Sequence, residues 1–157
     1  MIKRNVYALL VMLIMLAFVT KAGAVNYELP DVNGQVQSLD QYKGKWIIVN
    51  YWATWCGTCM KELPELIDFY EINKDNNAVV IGINFEEINK DKLREFVTKK
   101  SIPYTVLSSE PVKNTPLGPV PALPTTYIVD PQGNVVAGSM GIVTRKDLEN
   151  YIAHKEN

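Results

Sequence analysis

Two cysteines separated by two residues, Cys56-Gly57-Thr58-Cys59, stand between an apolar run and an amphipathic one. The apolar run, Trp46-Ile47-Ile48-Val49-Asn50-Tyr51, is continuous enough for a strand buried on both faces. After the cysteines, Leu63, Leu66, Ile67 and Tyr70 recur at helical spacing. The order strand, tight turn, helix puts the pair on the first turn of the helix. There the N–H groups lack internal partners and the helix dipole is positive. A sulfur in that position is stabilised as thiolate, the form that attacks disulfides.

Cys56 and Cys59 are the only cysteines in 157 residues, so they pair with each other or with sulfurs of other molecules. Half of a zinc site has the same spacing. Four ligands would need a second pair, and the only histidine, His154, lies near the C-terminus. A purely structural disulfide here closes too small a ring to restrain the unfolded chain much. Redox exchange is the stronger reading, and neither a metal nor a cofactor is expected.

The chain begins with Lys3 and Arg4, followed by an almost wholly apolar Val6–Val19 and the small residues Ala22-Gly23-Ala24. This pattern reads as a secretory signal peptide over residues 1–24, with a retained N-terminal anchor as the alternative. The apolar run is shorter than the roughly twenty residues a spanning helix needs. Either way the body, residues 25–157, is delivered outside the cytoplasm, where disulfides are chemically relevant. All 17 acidic side chains lie in that body with 13 of the 16 basic ones, a net charge of −4. No basic patch suggests nucleic acid, and no second apolar segment suggests a membrane beyond the N-terminal one.

Along the body, Tyr27–Pro30 and Gln35–Ser38 flank Asp31-Val32-Asn33-Gly34 as two short strands and a turn. The cysteine helix runs to about Asn73, with Pro64 removing one backbone donor, so a kink is expected. Val79–Asn84 reads as a second buried strand, parallel to the first because a helix connects them. Asn89 caps a helix over 90–100 with Leu93, Phe96 and Val97 facing inward. Short strands follow at 104–107 and 125–129, the latter turned by Asp130-Pro131-Gln132-Gly133-Asn134 into 135–137. Thr144 and Asp147 form a capping box that opens a last helix burying Leu148, Tyr151 and Ile152.

The segment VNYWATWCGTCMKELPEL resembles the active-site stretch of thioredoxin-like thiol:disulfide oxidoreductases of the TlpA/ResA/DsbE type. DVNGQVQSLDQYKGK before it, and GINFEE and LPTTYIVDPQGNVV after it, extend the resemblance over nearly all of residues 26–153. It implies an α/β fold, a thioredoxin-like mixed β-sheet sandwiched by helices, here with an added N-terminal β-hairpin. It also implies an exported enzyme that exchanges disulfides in the cell envelope, often during cytochrome c maturation. Its partners would be disulfide- or dithiol-bearing envelope proteins and an upstream electron donor, and the protein would be a monomer.

By position, the resemblance makes Cys56 the exposed nucleophile and Cys59 the resolving cysteine. Pro124 matches the family's cis-proline, which presents backbone for substrate pairing, with Leu123 and Thr125 beside it. Trp55, Gly57 and Thr58 complete the expected partner-facing surface, while Trp52 reads as core. Asn50 stands where thioredoxins proper carry a buried Asp; since Asn cannot titrate, Glu87 is the expected proton carrier, with Glu86 an equal candidate by composition. Two departures stand out. Gly57-Thr58 replaces the Gly-Pro of thioredoxin, and Pro111, Pro116, Pro119 and Pro121 replace a helix before the cis-proline. With no His or cation between the cysteines, a reductant or relay is favoured over a thiol oxidase or isomerase. A Cu(I)-binding carrier of the same fold is the reading from another class.

Overall fold

In the computed structural model of the chain, residues 25–112 and 114–156 are described; the segment read as signal peptide or anchor, residues 1–24, lies outside them. The strands are β1 (Glu28–Pro30), β2 (Val36–Ser38), β3 (Trp46–Trp52), β4 (Ala78–Phe85), β5 (Thr105–Ser109), β6 (Asn114–Thr115), β7 (Gly118–Pro119), β8 (Thr125–Val129) and β9 (Val135–Met140). The helices are α1 (Gly57–Asn73), α2 (Lys90–Lys99) and α3 (Arg145–Glu156). Five strands form one mixed sheet in the order β5-β4-β3-β8-β9. β3, β4 and β5 are parallel; β8 runs antiparallel to β3, and β9 antiparallel to β8. This is the thioredoxin-like sheet that the resemblance implies, with the β1–β2 hairpin added in front.

β3 lies at the centre and is buried along its whole length, as an apolar run interrupted by Asn50 alone requires. From β3 to β4 to β5 the chain steps in one direction across the sheet. Right-handed crossovers therefore place α1 and α2 on the same face. Their buried residues Leu66, Phe69 and Leu93 share one core with Ile48, Trp52, Val80 and with Leu148 and Ile152 of α3. Gly82 lets the Trp52 indole lie across β4, since a Cβ there would stand 2.9 Å from its Nε1.

The opposite face is covered differently from the helical layer expected. Ile47, Val49, Tyr51, Ile81 and Ile83 pack there against Tyr27, Leu39 and Leu117. These come from the N-terminal hairpin, the 3-10 turn Leu39–Tyr42 and the β6–β7 hairpin. Prolines within 111–121 remove the donors a helix needs, and a tight hairpin takes its place. Tyr51 Oη donates to Thr115 Oγ1 at 3.0 Å, and Tyr127 Oη donates to the Pro119 carbonyl at 2.6 Å, fixing that hairpin to the sheet.

The helix starts follow the caps read from sequence. Asn89 Oδ1 accepts the N–H groups of Asp91 and Lys92. Thr144 and Asp147 exchange reciprocal bonds at 3.0 and 3.2 Å before α3. α1 continues through Pro64 to Asn73. β9 runs beyond the expected Ala137 to Met140, which brings Gly141 to Pro124, whose carbonyl accepts the Gly141 N–H at 2.9 Å. Among the described residues, no helix is long and apolar enough to cross a membrane.

Candidate active site

The chain leaves β3 at Trp52, turns through Ala53-Thr54-Trp55 and enters α1 with Cys56 as its N-cap. Cys56 and Cys59 are joined by a disulfide, so the structure shows the oxidised form. The Cys56 sulfur accepts the Cys59 backbone N–H at 3.2 Å, the bond an N-cap side chain makes to an otherwise unpaired donor. Sequence reasoning makes Cys56 exposed, yet its exposure is 4%, beside 3% for Cys59. In the oxidised form the disulfide is tucked against the core, and the open surface around it belongs to its neighbours. Trp55 is 71% exposed, and Gly57 and Thr58 are exposed as well. A side chain at Gly57 would meet open space.

Across from the pair, the Leu123–Pro124 bond is cis. The Leu123 carbonyl lies 3.5 Å from Thr58 Oγ1, so the loop before β8 reaches the first turn of α1. Pro124 itself is buried. Thr125 is buried too, its hydroxyl donating to the Ala122 carbonyl at 2.7 Å, so this side chain supports the loop from within. Trp55 and Gly57 flank Cys56 in the chain, Thr58 Oγ1 lies 3.3 Å from its sulfur, and Leu123 meets Thr58 through its carbonyl.

The two neighbouring carboxylates of the GINFEE segment separate. Glu87 is exposed and takes no hydrogen bond among the described residues. Glu86 turns inward. Its Oε1 accepts from Thr54 N at 2.7 Å and Asn84 Nδ2 at 2.8 Å, and its Oε2 from Thr54 Oγ1 at 3.2 Å. Glu86 therefore holds the turn that delivers Trp55 and Cys56.

The residue missed in the sequence is Glu62. One helical turn beyond Cys59, it is fully buried, in line with Cys59, Leu66 and Phe69. Its Oε1 accepts the Val143 N–H at 2.8 Å, and its Oε2 accepts Asn50 Nδ2 at 2.8 Å. The same amide nitrogen donates to Thr126 Oγ1 at 2.9 Å. Burial pushes the Glu62 carboxyl up, and the Val143 and Asn50 donors offset part of that rise. Asn50 cannot titrate, as its identity implies, but it presents a residue that does. The signal was available: Glu62 follows Cys59 by three positions, which puts both on one helix face.

A cysteine pair at a helix start, with a cis-proline loop reaching the same first turn at Thr58 and a buried carboxyl one turn on, can pass electrons and protons together. The amino-acid sequence matches the model of the AhpC/TSA family over residues 20–137. It is 30% identical over 129 residues to a thiol-disulfide oxidoreductase ResA of Bacillus cereus, covering 82% of this chain and 74% of that one. The identity is also 30% to the ResA of Bacillus subtilis (strain 168), over 82% and 72%. Among solved structures, a DsbF homologue from Corynebacterium diphtheriae superposes with a TM-score of 0.74 at 29% identity, covering 85% of this chain and 86% of that one. A secreted thiol-disulfide isomerase from Corynebacterium glutamicum gives 0.73 at 27% identity, covering 81% of each.

Proposed function

The chain belongs to the AhpC/TSA family and is a thiol:disulfide oxidoreductase, and from this we propose that Cys56–Cys59 exchanges with disulfides of exported proteins, as a reductant or relay. The observation that carries the reading is the Cys56 sulfur at the α1 N-cap, with a buried carboxyl one turn below Cys59. Cys56 is the attacking sulfur because the helix start and the Cys59 N–H stabilise it as thiolate. Cysteine-bearing apocytochromes are one partner class, following the resemblance. Export follows from the N-terminal segment and agrees with the secreted character of the Corynebacterium glutamicum protein.

Exchange proceeds in two steps. The Cys56 thiolate attacks a partner disulfide; the Cys56–partner bond forms, the partner S–S bond breaks, and the leaving sulfur takes a proton from solvent. Cys59 then gives up its proton, for which Glu62 is the acceptor, and attacks the Cys56 sulfur. The intramolecular disulfide forms, and the partner leaves with its second thiolate, which is protonated. Two electrons pass to the partner, and an upstream dithiol restores the pair. A raised proton affinity suits Glu62 to this step, since a carboxylate that binds protons more tightly is the better base towards a thiol.

The test is reduction of a protein disulfide such as insulin with a dithiol donor present. Turnover by the natural chain and none by Cys56→Ser supports the reading. Absence of exchange with every disulfide offered overturns it, and turnover of peroxide in its place would assign a peroxidase.

A further inference from the structure

Thr58 brings one hydroxyl proton within reach of two acceptors. Its Oγ1 lies 3.3 Å from the Cys56 sulfur and 3.5 Å from the Leu123 carbonyl. We propose that the Thr58 hydroxyl is a catalytic donor to the Cys56 sulfur, turned towards Leu123 when the pair is oxidised and towards sulfur when Cys56 is a thiolate. The assignment rests on the exchange reaction proposed above and adds a residue to it.

The choice of acceptor follows from chemistry. A disulfide sulfur is a weak acceptor, so in the oxidised form the carbonyl takes the proton. Reduction turns the same sulfur into an anion, and hydrogen bonds to ionised acceptors are about twice as strong as those between neutral groups. The hydroxyl changes partner by rotating about its own C–O bond, with no heavy atom moving. The Cys59 N–H already points at this sulfur, so Thr58 supplies a second donor. Gly57 has no side chain to compete. The proline of the Gly-Pro dipeptide in thioredoxin offers neither a hydroxyl nor an N–H at this position, so the bond is a property of this dipeptide.

Two consequences follow. The Cys56 thiolate is held more firmly than the helix start alone would hold it, which makes the pair less reducing. The Leu123 carbonyl, covered in the oxidised form, is released in the reduced one and becomes free to accept an N–H from an extended partner segment. Reduced enzyme then binds disulfide partners, and oxidised enzyme lets the product go.

Thr58→Val keeps the branched shape and removes the hydroxyl at an exposed position; Thr58→Ser keeps the hydroxyl. Thiolate formation at Cys56 is followed by ultraviolet absorbance, and the pair is equilibrated with glutathione. Thr58→Val is expected to move thiolate formation to higher pH and to make the pair about tenfold harder to keep reduced, close to 30 mV for two electrons. Thr58→Ser is expected to stay within about twofold of the natural chain, the latitude left for a retained hydrogen bond. Unchanged behaviour in Thr58→Val, or equal shifts in both variants, overturns the proposal. Should Thr58→Val fail to fold, Thr58→Ala is read against Thr58→Ser in the same way. Failure of the natural chain to reduce insulin would sink the function but leave the absorbance comparison readable, so the two claims fail separately.

Discussion

Val143 and Glu62, 81 positions apart, are joined by a 2.8 Å hydrogen bond from the backbone N–H of one to the buried carboxyl of the other. One turn further along α1, Glu65 accepts the Arg145 N–H at 2.9 Å. Two glutamates of the cysteine helix thus tie down the segment leading into α3. That segment also contains Gly141, which bonds to Pro124. The redox helix, the cis-proline loop and the start of α3 form one connected unit around the buried Glu62 carboxyl.

That group gives the first prediction, and its sign is fixed by burial. Glu62 holds its proton to higher pH in the folded chain than in the unfolded one. Between the ordinary carboxyl value and the raised one, the folded chain carries a proton the unfolded chain has lost. Stability therefore falls as pH rises through that window, by up to about 1.4 kcal/mol per pH unit for one proton. Glu62→Gln should flatten the slope in urea-unfolding curves taken across the window. The same change should slow the second exchange step, so that mixed disulfides accumulate. A slope identical to the natural chain's would remove Glu62 from the account.

Comparison of three glutamines sorts the acidic candidates. Glu86→Gln leaves one acceptor oxygen where two now serve Thr54 and Asn84. Loss of a bond to a charged acceptor costs about 1.5–3 kcal/mol. Thermal unfolding should show this, and exchange should slow for large and small disulfides alike because the turn carrying Cys56 loosens. Glu87→Gln, at an exposed position, should leave melting temperature unchanged. Its effect on the pH profile of turnover tests the role that the family resemblance gives it. A shift as large as that of Glu62→Gln would restore Glu87 as the proton carrier.

How much of this was legible beforehand is clearest along α1. The strand, the turn and the helix start were readable because each is local: an apolar run, two cysteines, a periodic segment. Of the face expected to be buried, Leu66 reaches the core. Leu63, Ile67 and Tyr70 are half-buried, and the stripe that reaches the core is Cys59, Glu62, Leu66 and Phe69. Composition argues against burying a glutamate, and only partners distant in sequence, Asn50 and Val143, make it tolerable. The second sheet face was hidden for a similar reason. Prolines exclude a helix there but do not say that Leu117 and Thr115 fold back onto Tyr51. The cis bond at Pro124 was legible only through the family resemblance, since few X-Pro bonds are cis.

Trapping separates the roles of the two sulfurs. With Cys59→Ala, attack by Cys56 should stop at the mixed disulfide, and partners from an export-compartment extract should be retained on non-reducing gels. With Cys56→Ala they should not, because the N-cap position directs its backbone donor at the Cys56 sulfur and not at Cys59. Equal retention by both variants would mean that either sulfur can attack.

The last prediction concerns Trp55, which is 71% exposed immediately before the attacking cysteine. An exposed large aromatic contributes little to folding, so Trp55→Ala should leave thermal stability nearly unchanged. A tryptophan placed beside a reactive centre has a different use: it offers a broad, rigid apolar surface and one donor at small entropic cost. A protein partner laid across Thr58 and Leu123 would cover it, whereas a small disulfide reagent reaches the sulfur without doing so. Truncating an aromatic anchor at an interface costs about 2 kcal/mol, a factor of roughly thirty in binding. Trp55→Ala should therefore raise the KM for a protein disulfide by about that factor while kcat and the rate with a small reagent stay within about twofold. Equal losses with both substrates would instead place Trp55 in the support of the Cys56 turn, alongside Glu86, and remove it from the partner surface.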